Sequence, residues 1–201
     1  MNEESETGVR GRLIEAGVEL VHTEGAEALS LREIARRAGV SHGAPRRYFP
    51  THLDLLSAIA REGFTELAGR IAAAVGEEAE TPDGARAQLD ALARVHLDFA
   101  LTRRGMYELM FRHDLLESGR LGLRETSLPL FGLLGRLVAR LRPDAAAPEP
   151  TVVAAALWAN LHGLAQLWAW GSLQLAARTD DVEPLLRAAL DAHLGTAGRE
   201  R

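Results

Sequence analysis

The chain contains no cysteine. Disulfide scaffolds, thiolate zinc sites, iron–sulfur clusters and cysteine nucleophiles are excluded together, and a reducing compartment fits. Lysine is absent as well, so all 23 basic residues are arginines. No stretch reads as the roughly 18 to 20 apolar residues that a membrane helix needs. The first residues carry Glu3, Glu4 and Glu6 where a signal peptide would have an apolar core. These absences predict a cytoplasmic protein with no membrane partner. Catalytic signatures are lacking too: there is no G-x-S-x-G elbow, no H-E-x-x-H, no G-x-G-x-x-G after a strand and no P-loop. His113 with Asp114, and His96 with Asp98, come closest to a proton-transfer or metal pair, but residues one or two apart point to different helix faces. No enzyme, metal or cofactor is expected.

What is present is enough for one or two domains: 201 residues, 47% hydrophobic and 25% charged. The formal charge of -5 argues against coating nucleic acid by bulk electrostatics, although a net value hides where the charges sit. Apolar residues recur at spacings of three and four almost everywhere, and no run alternates long enough for a sheet, so the fold class is all-α, with about nine helices.

Leu13, Ile14, Gly17, Leu20 and Val21 mark a first helix over 7–24, ended by Gly25. Ser30 and Glu33 have the spacing of a capping box, in which each side chain satisfies an orphan backbone N–H. They open a second helix that Gly39 ends, with Ser41 placed to cap a short third one over 42–49. Thr51 caps a long helix of some twenty-five residues. Thr81-Pro82 opens another, and Gly105 breaks or bends it. Helices are expected over 106–117 and 121–141, with Pro129 kinking or restarting the second. Residues 143–150 form a linker, and 151–177 and 180–194 the last two helices.

Three short helices with a glycine turn between the second and third match a helix-turn-helix, whose last helix lies in the major groove. Between Ser30 and His52 stand five arginines, Arg32, Arg36, Arg37, Arg46 and Arg47, against one acid, Glu33. Phosphate neutralisation needs such a local excess of positive charge.

From Val9 to Phe64, and above all in L-S-L-R-E-I-A-R-R-A-G-V-S-H-G-A-P-R-R-Y-F-P-T-H-L-D-L-L at 29–56, the sequence resembles the tetracycline-repressor family of bacterial one-component transcription regulators. The resemblance implies a DNA-binding domain at 7–53 and a helical effector-binding and dimerisation domain at 54–195. The DNA-binding positions it implies are Ser30, Arg32, Ser41, His42, Gly43, Ala44, Arg46, Arg47, Tyr48 and His52. Ser30 sits where the family has a phosphate-touching cap, and Arg32 where a side chain reaches a base edge. His42, Gly43 and Ala44 open the recognition helix. Arg46 replaces the family's usual Tyr, and His52 its usual Lys at the start of helix four. Both exchanges keep a polar or cationic group.

Further on, Leu157-Trp158-Ala159-Asn160-Leu161-His162-Gly163 resembles the W-x-x-x-H-G signature of one C-terminal subclass of the family. Trp158 and His162 share a helix face, and Gly163 would let another helix approach closely. All three tryptophans fall within 158–170, a composition that suits a core helix or a subunit interface. Apolar candidates to line an effector pocket are Phe99, Met106, Tyr107, Met110, Phe111 and Phe131, with Trp158. His96, His113 and His162 are candidates to orient a polar group. No cationic cluster matches them, so a mostly apolar effector is expected.

The implied protein is a homodimer, paired through its last two helices, that binds palindromic operator DNA. A small-molecule effector releases it. Two recognition helices roughly 34 to 36 Å apart read what one cannot. Activation, or repression with a corepressor, fits the same residues, as does a helical ligand-binding or interaction module without operator binding.

Overall fold

The computed structural model describes residues 3–77, 79–112, 116, 122–142 and 148–195, with side chains from residue 8 onward. These residues form ten α-helices and one short 3-10 turn, and no strand is found among them. The all-α expectation holds. The helix count exceeds it because the apolar helix expected over 151–177 is interrupted. Gly171 adopts the left-handed conformation at φ 77°, which ends one helix and starts the next. The chain divides into two compact units, Met1–Glu66 with Arg103–Ser127, and Leu67–Thr102 with Leu128–Arg201.

The first unit contains α1 (Glu3–Glu24), the 3-10 turn (Ala26–Ala28), α2 (Leu31–Arg37), α3 (Pro45–Tyr48), the start of α4 (His52–Val75) and α6 (Arg104–Met110). Its core joins Leu13 and Leu20 of α1, Ile34 of α2, Phe49 after α3, and Leu55 and Ile59 of α4, all buried. Two glycines let helices close on one another. A Cβ on Gly17 would lie 2.2 Å from Ile59 Cδ1, and one on Gly63 would lie 2.6 Å from Met106 Cγ. Gly105 is not the helix break expected of it. The break falls at Arg103 (φ -118°, ψ 40°), one residue before α6. Gly105 instead allows α6 to rest on the end of α1, where a Cβ would meet Val21 O at 2.4 Å.

The second unit holds α5 (Pro82–Thr102), most of α7 (Leu123–Leu141), α8 (Pro150–Ala169), α9 (Ser172–Ala177) and α10 (Glu183–Leu194). Thr81 Oγ1 accepts from Gly84 N at 3.2 Å and so caps α5 as its sequence predicts. Helix α8 packs on α5 and α10 through Val153, Leu157, Leu161 and Leu164. Pro129 lies inside α7 without restarting it. Arg86 donates to Asp191 at 2.5 Å and to Gly195 O at 2.6 Å, and Arg94 Nη2 donates to Glu183 at 2.5 Å, so α10 is clamped along α5 by charge.

Two expectations are corrected here. By length and composition α8 is apolar enough to cross a membrane: one stripe of it packs on α5 and α10, and only 33% of the apolar window is buried. Gly163 gives no close helix approach among the described residues, since a Cβ there would meet nothing within 4 Å.

Candidate nucleic-acid interface

Ser30 caps α2, its Oγ accepting from Glu33 N at 3.2 Å, a bond whose loss typically costs about 1 kcal/mol. The helix ends in a Schellman motif. Val40 N donates to Ala35 O at 3.0 Å and Gly39 N to Arg36 O at 3.3 Å, with Gly39 at φ 66°. The turn then delivers α3, which starts at Pro45 rather than at His42. Ser41 contributes no side-chain cap, correcting that expectation; its carbonyl instead accepts from Ala44 N at 2.9 Å in the turn. Thr51 and Asp54 form a reciprocal box at the start of α4. Thr51 Oγ1 accepts from Asp54 N at 3.0 Å, and Asp54 Oδ2 accepts from Thr51 N at 2.9 Å.

All ten positions named for DNA fall in the first unit, and none is buried. Ser30, Arg32, Ser41, His42, Gly43, Arg46 and Arg47 are exposed, while Ala44, Tyr48 and His52 are half-buried. His52 Nε2 is buried with no hydrogen-bond partner among the described residues.

The five arginines are not equivalent. Glu33 accepts from Arg36 Nε at 2.8 Å and Nη2 at 2.5 Å, and from Arg37 Nε at 3.1 Å. Arg37 also donates to Glu24 and to Thr23 Oγ1, tying α2 to the end of α1. Hydrogen bonds from Arg36 and then Arg37 pull the Glu33 carboxyl down to about 2. Arg32, Arg46 and Arg47 have no carboxylate partner among the described residues.

The effector candidates divide between the two units. Met106, Tyr107 and Met110 are buried in the first, Tyr107 stacks edge-on against Phe111 at 4.8 Å, and Phe64 meets Phe111 at 5.6 Å. Burial pushes the Tyr107 hydroxyl upward. In the second unit Trp158 and His162 lie 5.6 Å apart, Phe99 is fully buried and Phe131 is half-buried. His96 is buried, and desolvation, with some help from nearby His162, lowers its imidazole to about 4. Burial lowers His162 as well. His113 lies outside the described residues.

Sequence reading missed an open groove of about 730 Å³ between α1 and α4 in the first unit. Ile14 and Val18 lie among its lining, with Glu15, Glu19, Glu62 and Glu66 around them. The signal was available as two acidic pairs at helical i, i+4 spacing. Carboxylates repel phosphate, so this face is unsuited to lie along DNA.

A capped helix, a glycine turn and a short exposed cationic helix define the class: helix-turn-helix DNA-binding proteins. Residues 13–59 match the family described as bacterial regulatory proteins, tetR family, and residues 89–193 match the tetracyclin repressor-like, C-terminal domain. The chain belongs to the tetracycline-repressor family of transcription regulators, and it is not an enzyme. No curated protein matches the sequence. Among solved structures, a protein of unknown function from Rhodococcus sp. RHA1 is 31% identical, with 92% of this chain and 93% of that one covered and a TM-score of 0.74. A candidate regulatory protein, SCO4313, is 26% identical over 98% of this chain and 100% of that one, with a TM-score of 0.69. The regulator FadR from Bacillus subtilis, solved in complex with stearoyl-CoA, shares the fold at 17% identity and a TM-score of 0.64, over 92% of this chain and 98% of that one.

Proposed function

We propose that this regulator is a repressor. As a homodimer paired through α8 and α10 it occupies a palindromic operator, and a small, mostly apolar effector releases it. The reading head is 7–53 and the effector-binding and dimerisation part 54–195. Ser30, Arg32, Ser41, His42, Gly43, Ala44, Arg46, Arg47, Tyr48 and His52 face DNA. His96, Phe99, Met106, Tyr107, Met110, Phe111, Phe131, Trp158 and His162 are the effector-facing set.

One observation carries the reading: Arg32, Arg46 and Arg47 stand exposed on a helix-turn-helix without a carboxylate partner among the described residues, while Arg36 and Arg37 are engaged. Guanidinium groups that neutralise phosphates release the cations condensed on the DNA, giving affinity that falls steeply with salt. The dimer is supported by the exposed apolar residues of α8, Val152 and Leu167, with Trp170 just beyond its end. The acyl-CoA held by a structure of the same fold supports an effector with a long apolar part.

Release requires the effector to prefer the state that does not hold DNA, and operator must then weaken effector binding by the same factor. The test is a titration against the intergenic DNA upstream of its own gene, at two salt concentrations, with random duplex as competitor. Tight, salt-sensitive, competitor-resistant binding by a dimer is expected. Affinity no better than for random duplex overturns operator binding, and equal effector affinity with and without operator overturns release.

A further inference from the structure

Arg10 lies before the segment 13–59 that matches the DNA-binding family, and none of the positions assigned above includes it. It occupies a place on α1 where an apolar residue would be expected. The buried side of that helix runs through Leu13, Gly17, Leu20 and Val21, and Arg10 is the preceding step, three residues before Leu13. Its guanidinium lies over the ring of Phe49, 5.2 Å from the centroid. Phe49 is itself buried, and its N–H donates to Pro45 O at 2.8 Å, so the ring is fixed to the end of α3. Arg10 is thereby held where the recognition helix ends, beside the chain that leads through Pro50 and Thr51 into α4.

Arg36 and Arg37 spend their donors on carboxylates, whereas Arg10 makes no ion pair or hydrogen bond among the described residues. A guanidinium stacked on a ring uses its face and leaves the N–H groups at its edge available. Packing on Phe49 alone would be served as well by Met or Leu, so the charge calls for an anion. Arg46, Arg47 and His52 flank Phe49 in sequence; on α1 itself Glu6 stands one turn before Arg10 in sequence, and Glu15, the first carboxylate of the acidic groove, five residues after it.

We infer that Arg10 is a further DNA contact, a phosphodiester ligand that Phe49 holds in place before DNA arrives. This rests on the helix-turn-helix reading above. Contacts to phosphate carry no sequence information, so Arg10 adds affinity equally for operator and random DNA.

The test measures binding of wild-type, Arg10→Met, Arg10→Lys and Arg46→Ala proteins across a range of salt. The probes are a fluorescein-labelled duplex from upstream of its own gene and a random duplex of the same length. In Arg10→Met the slope of log affinity against log salt is expected to shrink by about 0.9 for each protomer engaged, with both duplexes weakened by the same factor. Arg10→Lys, which keeps the charge, keeps the slope. Should Arg10→Met fail to fold, Arg10→Gln reads the same quantity. An unchanged slope in the uncharged variant overturns the inference, as does a slope lost equally in Arg10→Lys. A slope that falls in Arg46→Ala but not in Arg10→Met removes Arg10 alone. A wild-type protein without salt-dependent binding to either duplex removes the helix-turn-helix reading itself.

Discussion

The two units place their ionisable groups by opposite rules. In the first, arginines lie along α2 and α3, some tied to Glu33 and Glu24 and others without a carboxylate partner among the described residues. In the second, polar groups tie the helices of the unit together, Gln88 and His96 from buried positions and Arg94 from the surface. Gln88 donates to Val75 O and Glu77 O and accepts from Ala79 N, Arg86 and Arg94 clamp α10, and His96 is buried. Charge in the first unit is thus left open in part, as the proposed DNA contact requires, while polarity in the second serves architecture. The contrast is between an interface that answers to salt and a core that answers to pH.

The largest effect is expected in that core. His96 titrates near 4 in the folded protein against an ordinary 6.5, so its stabilising contribution is present above pH 6.5 and is lost as the pH falls through about 4. The unfolded chain takes up that proton first. The loss is on the order of 3 kcal/mol. Urea unfolding followed between pH 7 and pH 4 checks it, because His96→Leu should flatten that part of the dependence. A profile equally steep in the variant would place the pH response elsewhere.

Next comes the pair on α3. Arg46→Ala with Arg47→Ala should weaken binding to operator and random duplex alike and lower the salt slope by about 0.9 for each phosphate contact removed, while leaving the melting temperature unchanged. Arg37→Ala should do the reverse. Its side chain is 19% exposed and bridges Glu24, Glu33 and Thr23, so unfolding becomes easier by up to about 1 kcal/mol, or roughly 2 to 4 °C in melting temperature. Operator affinity should respond only weakly. Scanning calorimetry and fluorescence anisotropy on the same two variants separate binding from stability, and matching behaviour in both assays would erase the distinction between α2 and α3.

The local devices of the fold were legible because they are written in neighbouring residues. Ser30, Gly39, Thr51 and Thr81 each act within a few positions, and the structure places each in the expected role, whereas the Glu33 carboxylate does not close the expected box: it accepts from Arg36 and Arg37 while Ser30 N donates to Ala28 O. Ser41 failed since a proline-led helix starting at Pro45 leaves it in the preceding turn. Gly105 was misread because its partner, Val21 O, lies more than eighty positions away. The same holds for the candidate site. Counting charge between Ser30 and His52 finds the basic surface, but the count cannot tell an arginine held by Glu24 from one left open. Arg10 and the acidic groove depend on how α1 meets α3 and α4, which the composition of no single segment reveals.

The smallest effect probes the pair on α2 through its carboxylate. Glu33→Gln removes the acceptor that holds Arg36 by two bonds and Arg37 by one, and Arg37 keeps Glu24 and Thr23. Glu33 titrates near 2 instead of 4.5, so its contribution is present above pH 4.5 and lost as the pH falls through about 2. The group is half-buried near the surface, where solvent still screens it, so the corresponding change in acid unfolding should be slight and should shrink further in salt. Operator binding is the sharper readout. If Arg36 lies on a solvated face, as its bonding to its own helix implies, releasing it leaves the salt slope where it was. A slope steeper by about 0.9 per protomer would show that Arg36 reaches phosphate once freed. Glu33 would then be holding back a DNA contact, and the division between structural and DNA-facing arginines would depend on that one carboxylate.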